Sequence, residues 1–397
     1  MNTMKQEIRD TLLNNILPFW KSMRDDEHGG YYGYKSYDLV LDKKAEKGCI
    51  LNSRILWTFS NAYMELKEEE LLSYAKHAYL FLKEHFYDKE RGGVYWSVTY
   101  KGEPLDTIKH SYNMAFAIYA LSSYYDITKD GEALSLAKEL FSLVEERYRD
   151  EYGYREALTV DFQPQSNEHL SENGVMADKT MNTTLHLYEA YSELYRVSAY
   201  EPAAEQMRFI LSVFQKSIYE PSKHRLGVFF DSRMNSLIDL HSYGHDIETA
   251  WLLERGLEIL GDEGLYASMK TIFSDLEHEI LKTAFDGESV AAECEAGKVL
   301  ETRIWWVQCE AIIGFYNAYQ KRKEQEFLDA ALAVWDYTKR YFVDAREGSE
   351  WLNERFYDKS INVEQPIASL WKCPYHNARL CLEMMRRLPD CESCKAI

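Results

Sequence analysis

The chain has 397 residues, with 46 Lys and Arg against 65 Asp and Glu and a formal charge of −19. Such a field repels phosphate backbones and anionic membranes, so nucleic acid and lipid surfaces are excluded as partners and a neutral small molecule is the default ligand. Hydrophobic residues at 46% provide for a large core, and no run of 18 apolar residues marks a transmembrane helix.

The first helix is predicted over 3–22. It carries Lys5, Glu7, Arg9 and Asp10, with no uninterrupted apolar stretch of the kind a secretory signal needs. Helical spacing of apolar residues then predicts 48–66, 68–88, 109–127, 130–148, 175–197, 199–217, 244–260, 262–284, 303–321, 325–341 and 374–388. Asp130-Gly131 and Gly261-Asp262 break two of the pairs, and Pro202 sits in a first turn, where its missing N–H is harmless.

Between pairs, glycine–aromatic segments recur, marked by Gly30, Gly93, Gly153, Gly227, Gly287 and Gly348, at intervals of 63, 60, 74, 60 and 61 residues. A period of that order signals a repeated supersecondary unit. Twelve helices in six hairpins predict an all-α (α/α)6 barrel, with the whole chain, 1–397, as one domain. The alternative is an open solenoid; closure is preferred because no polar capping repeat stands at either end. Seven cysteines, odd in number and scattered, predict a reducing, cytoplasmic setting rather than a disulfide framework. Cys391 and Cys394 form a lone C-x-x-C without a second pair to complete a zinc site.

Polar and aromatic residues gather near the start of every second helix: Arg54, His110 to Asn113, Asp178 to His186, His241 to Glu248, Arg303 to Glu310 and Trp371 to Asn377. If these helices form the inner ring, the groups converge on one axial pocket. Asn182 and His186 are four apart, His245 and Glu248 three apart, and Trp306 and Glu310 four apart, spacings that share a helix face. Histidines titrate near neutrality and suit reversible proton exchange at carbon, and a helix N-terminus favours the neutral imidazole a general base requires. His245 and His376 are therefore the candidate acid–base pair, with His186 and Arg54 beside them. Adjacent Trp305 and Trp306 should not both face the pocket. Glu310 is a candidate for substrate contact, with a structural pairing to Arg303 or Arg54 as its alternative. His77, His85, His224 and His278 lack such company and are expected to be structural or solvated. A metal at His241, His245 and Glu248 is disfavoured because Gly244 places the motif across a loop-to-helix junction. A glycoside hydrolase would need two convergent carboxylates, for which Glu248, Glu310 and Asp178 are available. A non-catalytic sugar-binding barrel is the other rival.

The segments His241–Glu248, Trp371–Asn377, 47–57 (KGCILNSRILW), 109–121 (KHSYNMAFAIYAL), 171–182 and 303–310 (RIWWVQCE) resemble those of the cellobiose 2-epimerases, a branch of the N-acylglucosamine 2-epimerases, from about residue 5 to about 388. The resemblance implies the (α/α)6 barrel and inversion at C2 of the reducing-end glucose of a β-1,4-linked disaccharide, so that cellobiose becomes glucosyl-mannose and lactose becomes epilactose. No metal, nicotinamide or other cofactor is implied. It implies that His245 and His376 exchange the C2 proton on opposite faces, and that Arg54, Tyr112, Asn182 and His186 surround O1 and O2. Trp306 and Trp371, with Trp305 adjacent, match aromatic walls, and Glu248 and Glu310 match supporting carboxylates. N-acylglucosamine or mannose as substrate is the near alternative. The expected assembly is a monomer or a weak homo-oligomer.

Overall fold

The structure, a computed structural model, describes residues 1–389, so the Cys391–Cys394 motif lies outside the described residues. The helices are α1 (Asn2–Thr11), α2 (Leu17–Ser22), α3 (Cys49–Leu66), α4 (Glu69–Phe81), α5 (Ser111–Thr128), α6 (Gly131–Arg147), α7 (Met181–Ser198), α8 (Glu201–Val213), α9 (Tyr243–Leu260), α10 (Glu263–Thr283), α11 (Trp305–Arg322), α12 (Gln325–Tyr341) and α13 (Tyr375–Arg387). A π-turn at Leu12–Ile16 joins α1 and α2 into one helix, and further π-turns prolong α4 and α8.

The inner ring is α3, α5, α7, α9, α11 and α13. Each packs on the next, and α13 packs back on α3, which closes the barrel. Inner helices are buried almost all round: in α5 every residue from Ser111 to Tyr124 is buried, the pattern of a helix with no solvent face. Outer helices bury one stripe, as in α6 with Ala133, Leu136, Ala137, Leu140, Phe141 and Val144. Five inner–outer pairs are hairpins. The sixth is not, contrary to expectation: α1–α2 covers α13, so the two ends of the chain complete the ring.

Each hairpin turns in two residues, the first left-handed: Lys67, Lys129, Ala199, Gly261 and Lys323, with φ of 58°, 56°, 50°, 65° and 63°. Asp130 and Asp262 then cap α6 and α10 through their side chains.

The other end of the barrel carries short strands that helical periodicity does not reveal. The residues before an inner helix pair with a strand of the following repeat: Lys47–Gly48 with Ser97–Val98, Lys109–His110 with Ala157–Leu158, Lys179–Thr180 with Phe229–Phe230, Leu240–Ser242 with Glu293–Glu295, and Arg303–Ile304 with Glu354–Arg355. The same stitch satisfies the first N–H of each helix, which has no partner inside it: Cys49, Ser111, Met181, Tyr243 and Trp305 donate to carbonyls of Trp96, Glu156, Val228, Ala292 and Asn353 at 2.8–3.2 Å. The predicted helix start at 175 therefore moves to Met181, because 179–180 are drawn into such a pair and Thr180 caps α7.

The glycine repeat has a physical origin here. After an outer helix, an aspartate accepts turn N–H groups through its carboxylate and pairs with a cation two residues before the next inner helix, through the other oxygen in every copy except Asp150, which uses one oxygen for both. Asp25–Lys47 at 2.7 Å, Asp88–Lys109 at 2.9 Å, Asp150–Lys179 and Asp286–Arg303 at 2.7 Å are four copies. Lys109, Lys179 and Arg303 thus belong to these clips and are not free for a ligand, and Arg303 is not the partner of Glu310.

Candidate active site

The N-terminal ends of the six inner helices converge on a cavity of about 450 Å³, within the range of small-molecule sites. Arg54 reaches it from α3, Tyr112 from α5, Asn182 and His186 from α7, His245 and Glu248 from α9, Trp305 and Trp306 from α11, and His376 from α13; Trp371 stands on the loop before α13. Of the residues assigned from the sequence to catalysis or substrate contact, Glu310 alone does not line the cavity. It is fully buried behind His376.

Trp305 and Trp306 both border the cavity, against expectation, since they are the first two residues of their helix and the ring curves around them. Trp306 touches both candidate acid–base rings, 4.8 Å from His245 and 5.4 Å from His376 between centroids. Gly244 makes this possible: a Cβ there would stand 2.6 Å from the Trp306 ring. Gly244 is inside α9, not at a junction before it. Trp371 is 40% exposed at the rim, against Trp96 and Tyr112.

Three imidazoles face the cavity, and each has Nδ1 held from behind. His186 Nδ1 bonds Glu189 at 2.9 Å, His376 Nδ1 bonds Glu310 at 2.7 Å, and His245 Nδ1 meets the Ser242 hydroxyl at 2.7 Å. A carboxylate only accepts, so Nδ1 of His186 and His376 donates, and Nε2 is the nitrogen left for the cavity. Burial drives the His245 imidazole down to about 3, with His186 adding to it. Burial, then Arg379 and Arg54, holds His376 well below its ordinary range. Both are neutral at pH 7. Desolvation is the largest cause in both.

Behind the histidines lies a residue that sequence reading missed. The buried Arg379 guanidinium bonds Glu189 and Glu310, each at 2.7 Å, and also Glu248. One cation thereby joins the carboxylate of His186, the carboxylate of His376 and a carboxylate of the cavity itself. Trp251 Nε1 donates to the other Glu310 oxygen at 3.1 Å, and Tyr375 donates to Glu189. Burial works against ionisation of Glu189, but Arg379 and His186 outweigh it and bring the carboxyl down to about 2. Burial and then the Glu310 charge push Glu248 up to about 7, against Arg379. The second Glu248 oxygen has no partner among the described residues. The His376–Arg379 and His186–Glu189 spacings of three were visible in the sequence, the same signal that singled out His245 and Glu248.

Arg54 is different. Its guanidinium donates to the Tyr112 hydroxyl at 3.0 Å and lies over Phe116 at 4.1 Å, and among the described residues it forms no ion pair. It is a buried cation with capacity left for an anion. Asn182 Oδ1 is likewise unpartnered.

Ligand atoms of Glu248, Glu310 and His376 all lie within 4.8 Å of one another, a spacing that suits a divalent ion. Arg379 already supplies the cation both carboxylates bond. His241, considered as a metal ligand from its spacing, bonds Asp246 at 2.8 Å instead. The four histidines expected to be structural or solvated have such partners: His77 with Gly30, His85 with Gly102, His224 with Asp275 and His278 with Glu324.

A helical barrel with imidazoles, an unpaired guanidinium and aromatic walls at the inner-helix N-termini is the site of a carbohydrate epimerase or isomerase. The chain belongs to the N-acylglucosamine 2-epimerase family, whose model matches residues 33–378. It is 49% identical to the cellobiose 2-epimerase of Ruminococcus albus over 98% of this chain and 100% of that one. A sugar epimerase from a ruminal bacterium superposes with a TM-score of 0.96 at 49% identity, covering 98% of this chain and 100% of that one. The cellobiose 2-epimerase of Bacillus thermoamylovorans superposes at 0.94 with 46% identity, over the same shares of the two chains.

Proposed function

We propose that the chain acts as one catalytic domain that inverts C2 of the reducing-end glucose of β-1,4-linked disaccharides, cellobiose and lactose among them, by two-histidine proton transfer through an enediolate. The C2 hydrogen is acidic only in the open-chain aldehyde, so the ring must open first. One histidine Nε2 then takes the C2 proton. The C–H pair becomes the C1=C2 double bond and the carbonyl pair moves to O1. The other histidine returns a proton to the opposite face; for that half it first takes a proton from solvent at Nε2 and stands as the imidazolium, a charge that the Nδ1–H bond to Glu310 stabilises when it is His376. The observation that carries the reading is that His245 and His376, both neutral, both with Nδ1 tied back, meet the same Trp306 ring in one cavity. Matched acid–base groups of this kind give inversion without redox chemistry.

The enediolate oxygens are assigned to Arg54, Tyr112, Asn182 and His186. Fixed donors aimed at developing charge in a dry site are the largest single contribution in many enzymes, and six converging helix N-termini add partial positive charge on the same side. Trp371, Trp305 and Trp306 are assigned as sugar walls. Glu310 is reassigned from substrate contact to support of His376, and Glu248 keeps a place in the cavity.

A hydrolase needs its two carboxylates on opposite sides of the scissile bond. Glu248 and Glu310 share one guanidinium instead, which favours the epimerase. Incubation with cellobiose in D₂O tests the choice: glucosyl-mannose carrying deuterium at C2 supports the proposal, free glucose a hydrolase, and unchanged sugar a binding protein.

A further inference from the structure

The three cavity imidazoles are not held alike. Glu189 and Glu310 back His186 and His376 with a charge, whereas His245 rests on the neutral hydroxyl of Ser242. Ser242 occupies the N-cap of α9, the position at which a serine hydroxyl ordinarily accepts a helix N–H. Here it makes no capping bond. The Tyr243 N–H goes to the Ala292 carbonyl at 3.2 Å, and Ser242 itself is fixed in the strand pair with Glu293. Relieved of capping, the hydroxyl has His245 as its partner. It is 5% exposed and borders the cavity.

We infer that Ser242 is a positioning residue for the reaction: its hydroxyl oxygen accepts the Nδ1–H of His245, which fixes the ring tautomer and leaves Nε2 as the nitrogen that exchanges a proton with sugar C2. The inference rests on the assignment of His245 as a proton carrier. When Nε2 takes the C2 proton, the C–H pair passes into the C1=C2 bond, the carbonyl pair passes to O1, and the imidazolium keeps its Nδ1–H on Ser242. When Nε2 gives the proton back, the enediolate pair forms the new C–H bond, the O1 pair restores the carbonyl, and the same Nδ1–H bond persists. Without the hydroxyl, the ring can turn or take the other tautomer, with its proton on Nε2 and no lone pair for the sugar. A carboxylate at this position would add a further buried charge beside the Glu189, Glu248 and Glu310 group; the hydroxyl orients the ring without one.

The test sets Ser242→Ala and Ser242→Thr beside His245→Ala, with cellobiose epimerisation and ¹⁵N-histidine NMR as readouts. Ser242→Ala is expected to lower kcat by ~10–100-fold, the weight of one hydrogen bond to a charged group, with KM within about twofold. Ser242→Thr, which keeps the hydroxyl, is expected to restore most of the rate. In the wild-type spectrum the His245 signals, identified by their loss in His245→Ala, should be those of the Nδ1–H tautomer. Wild-type kcat in a folded Ser242→Ala, with His245→Ala inactive, overturns the role of Ser242 and leaves the two-histidine reading intact. Epimerisation by a folded His245→Ala overturns that reading itself. Should Ser242→Ala fail to fold, the wild-type spectrum still decides: an Nε2–H tautomer of His245 contradicts the inference.

Discussion

Glu310→Gln isolates the support of His376 from contact with the sugar, because Glu310 has no exposed surface and does not border the cavity. The glutamate accepts from His376 Nδ1 at 2.7 Å, from Arg379 at 2.7 Å and from Trp251 at 3.1 Å. Glutamine keeps the volume but removes the charge that stabilises an imidazolium at 376. A hydrogen bond to a charged group contributes about 1.5–3 kcal/mol, so its loss alone predicts a fall in kcat of roughly 10–150-fold. If the new amide N–H₂ faces Nδ1, it forces the Nε2–H tautomer and the loss extends towards ~10⁴-fold, as for an orienting carboxylate replaced by its amide in a catalytic triad. KM should stay within a few-fold. Stability should fall less than the ~3–5 kcal/mol of a broken buried pair, because Arg379 keeps Glu189 and Glu248 and one like-charge repulsion is relieved. Steady-state epimerisation of cellobiose, with urea unfolding of the same preparation, measures both. A folded Glu310→Gln with wild-type kcat would refute the coupling of Glu310 to His376.

Trp306→Ala removes the ring that both histidines touch, and should raise KM by about tenfold and lower kcat, whereas Trp306→Phe should recover much of both; unchanged kinetics in the alanine variant would deny the wall its role. The His245 imidazole stays neutral in the folded state down to about 3, while in the unfolded chain it gains a proton below 6.5. Its contribution to stability is therefore full above pH 6.5 and is lost as pH falls towards 3. Glu248, raised from 4.5 to about 7, acts in the opposite sense, its contribution being lost as pH rises through 7. Urea unfolding of His245→Gln should accordingly show a shallower loss of stability between pH 6.5 and 4.5 than the wild type, and an equal slope would contradict the buried neutral imidazole. Activity should survive EDTA, since Arg379 is the cation between Glu248 and Glu310; loss restored by added zinc would instead favour ligation by Glu248, Glu310 and His376.

The outer helices were legible from the 3.6-residue period of their buried stripe and the inner ones from long buried runs between turns, which carry strong signals at Asp130, Gly261 and Asp262. The strand stitches were invisible for a physical reason: two-residue pairs such as Lys179–Thr180 with Phe229–Phe230 leave no period to read. The clustering of polar residues at inner-helix starts mixed two populations. Lys109, Lys179 and Arg303 serve the aspartate clips, while His186, His245 and His376 face the cavity. Depth was the harder property. Glu310 lies on the same helix face as Trp306 but a turn further in, so spacing alone could not tell a wall residue from one behind it. Arg379 escaped notice because an arginine on a helix is ordinarily a surface residue; only the three carboxylates around it explain a guanidinium 1% exposed.

The central claim is that His245 and His376 each carry a proton to or from C2. The most direct measurement is deuterium incorporation into cellobiose and glucosyl-mannose in D₂O by wild type, His245→Ala and His376→Ala, with folding checked in each. The account predicts C2-deuterated epimer from the wild type. It predicts epimer formation reduced by roughly 10²–10⁴-fold in either variant, with at least one variant still placing deuterium in unepimerised cellobiose. A folded variant of either histidine that forms deuterated epimer at near wild-type rate would contradict it.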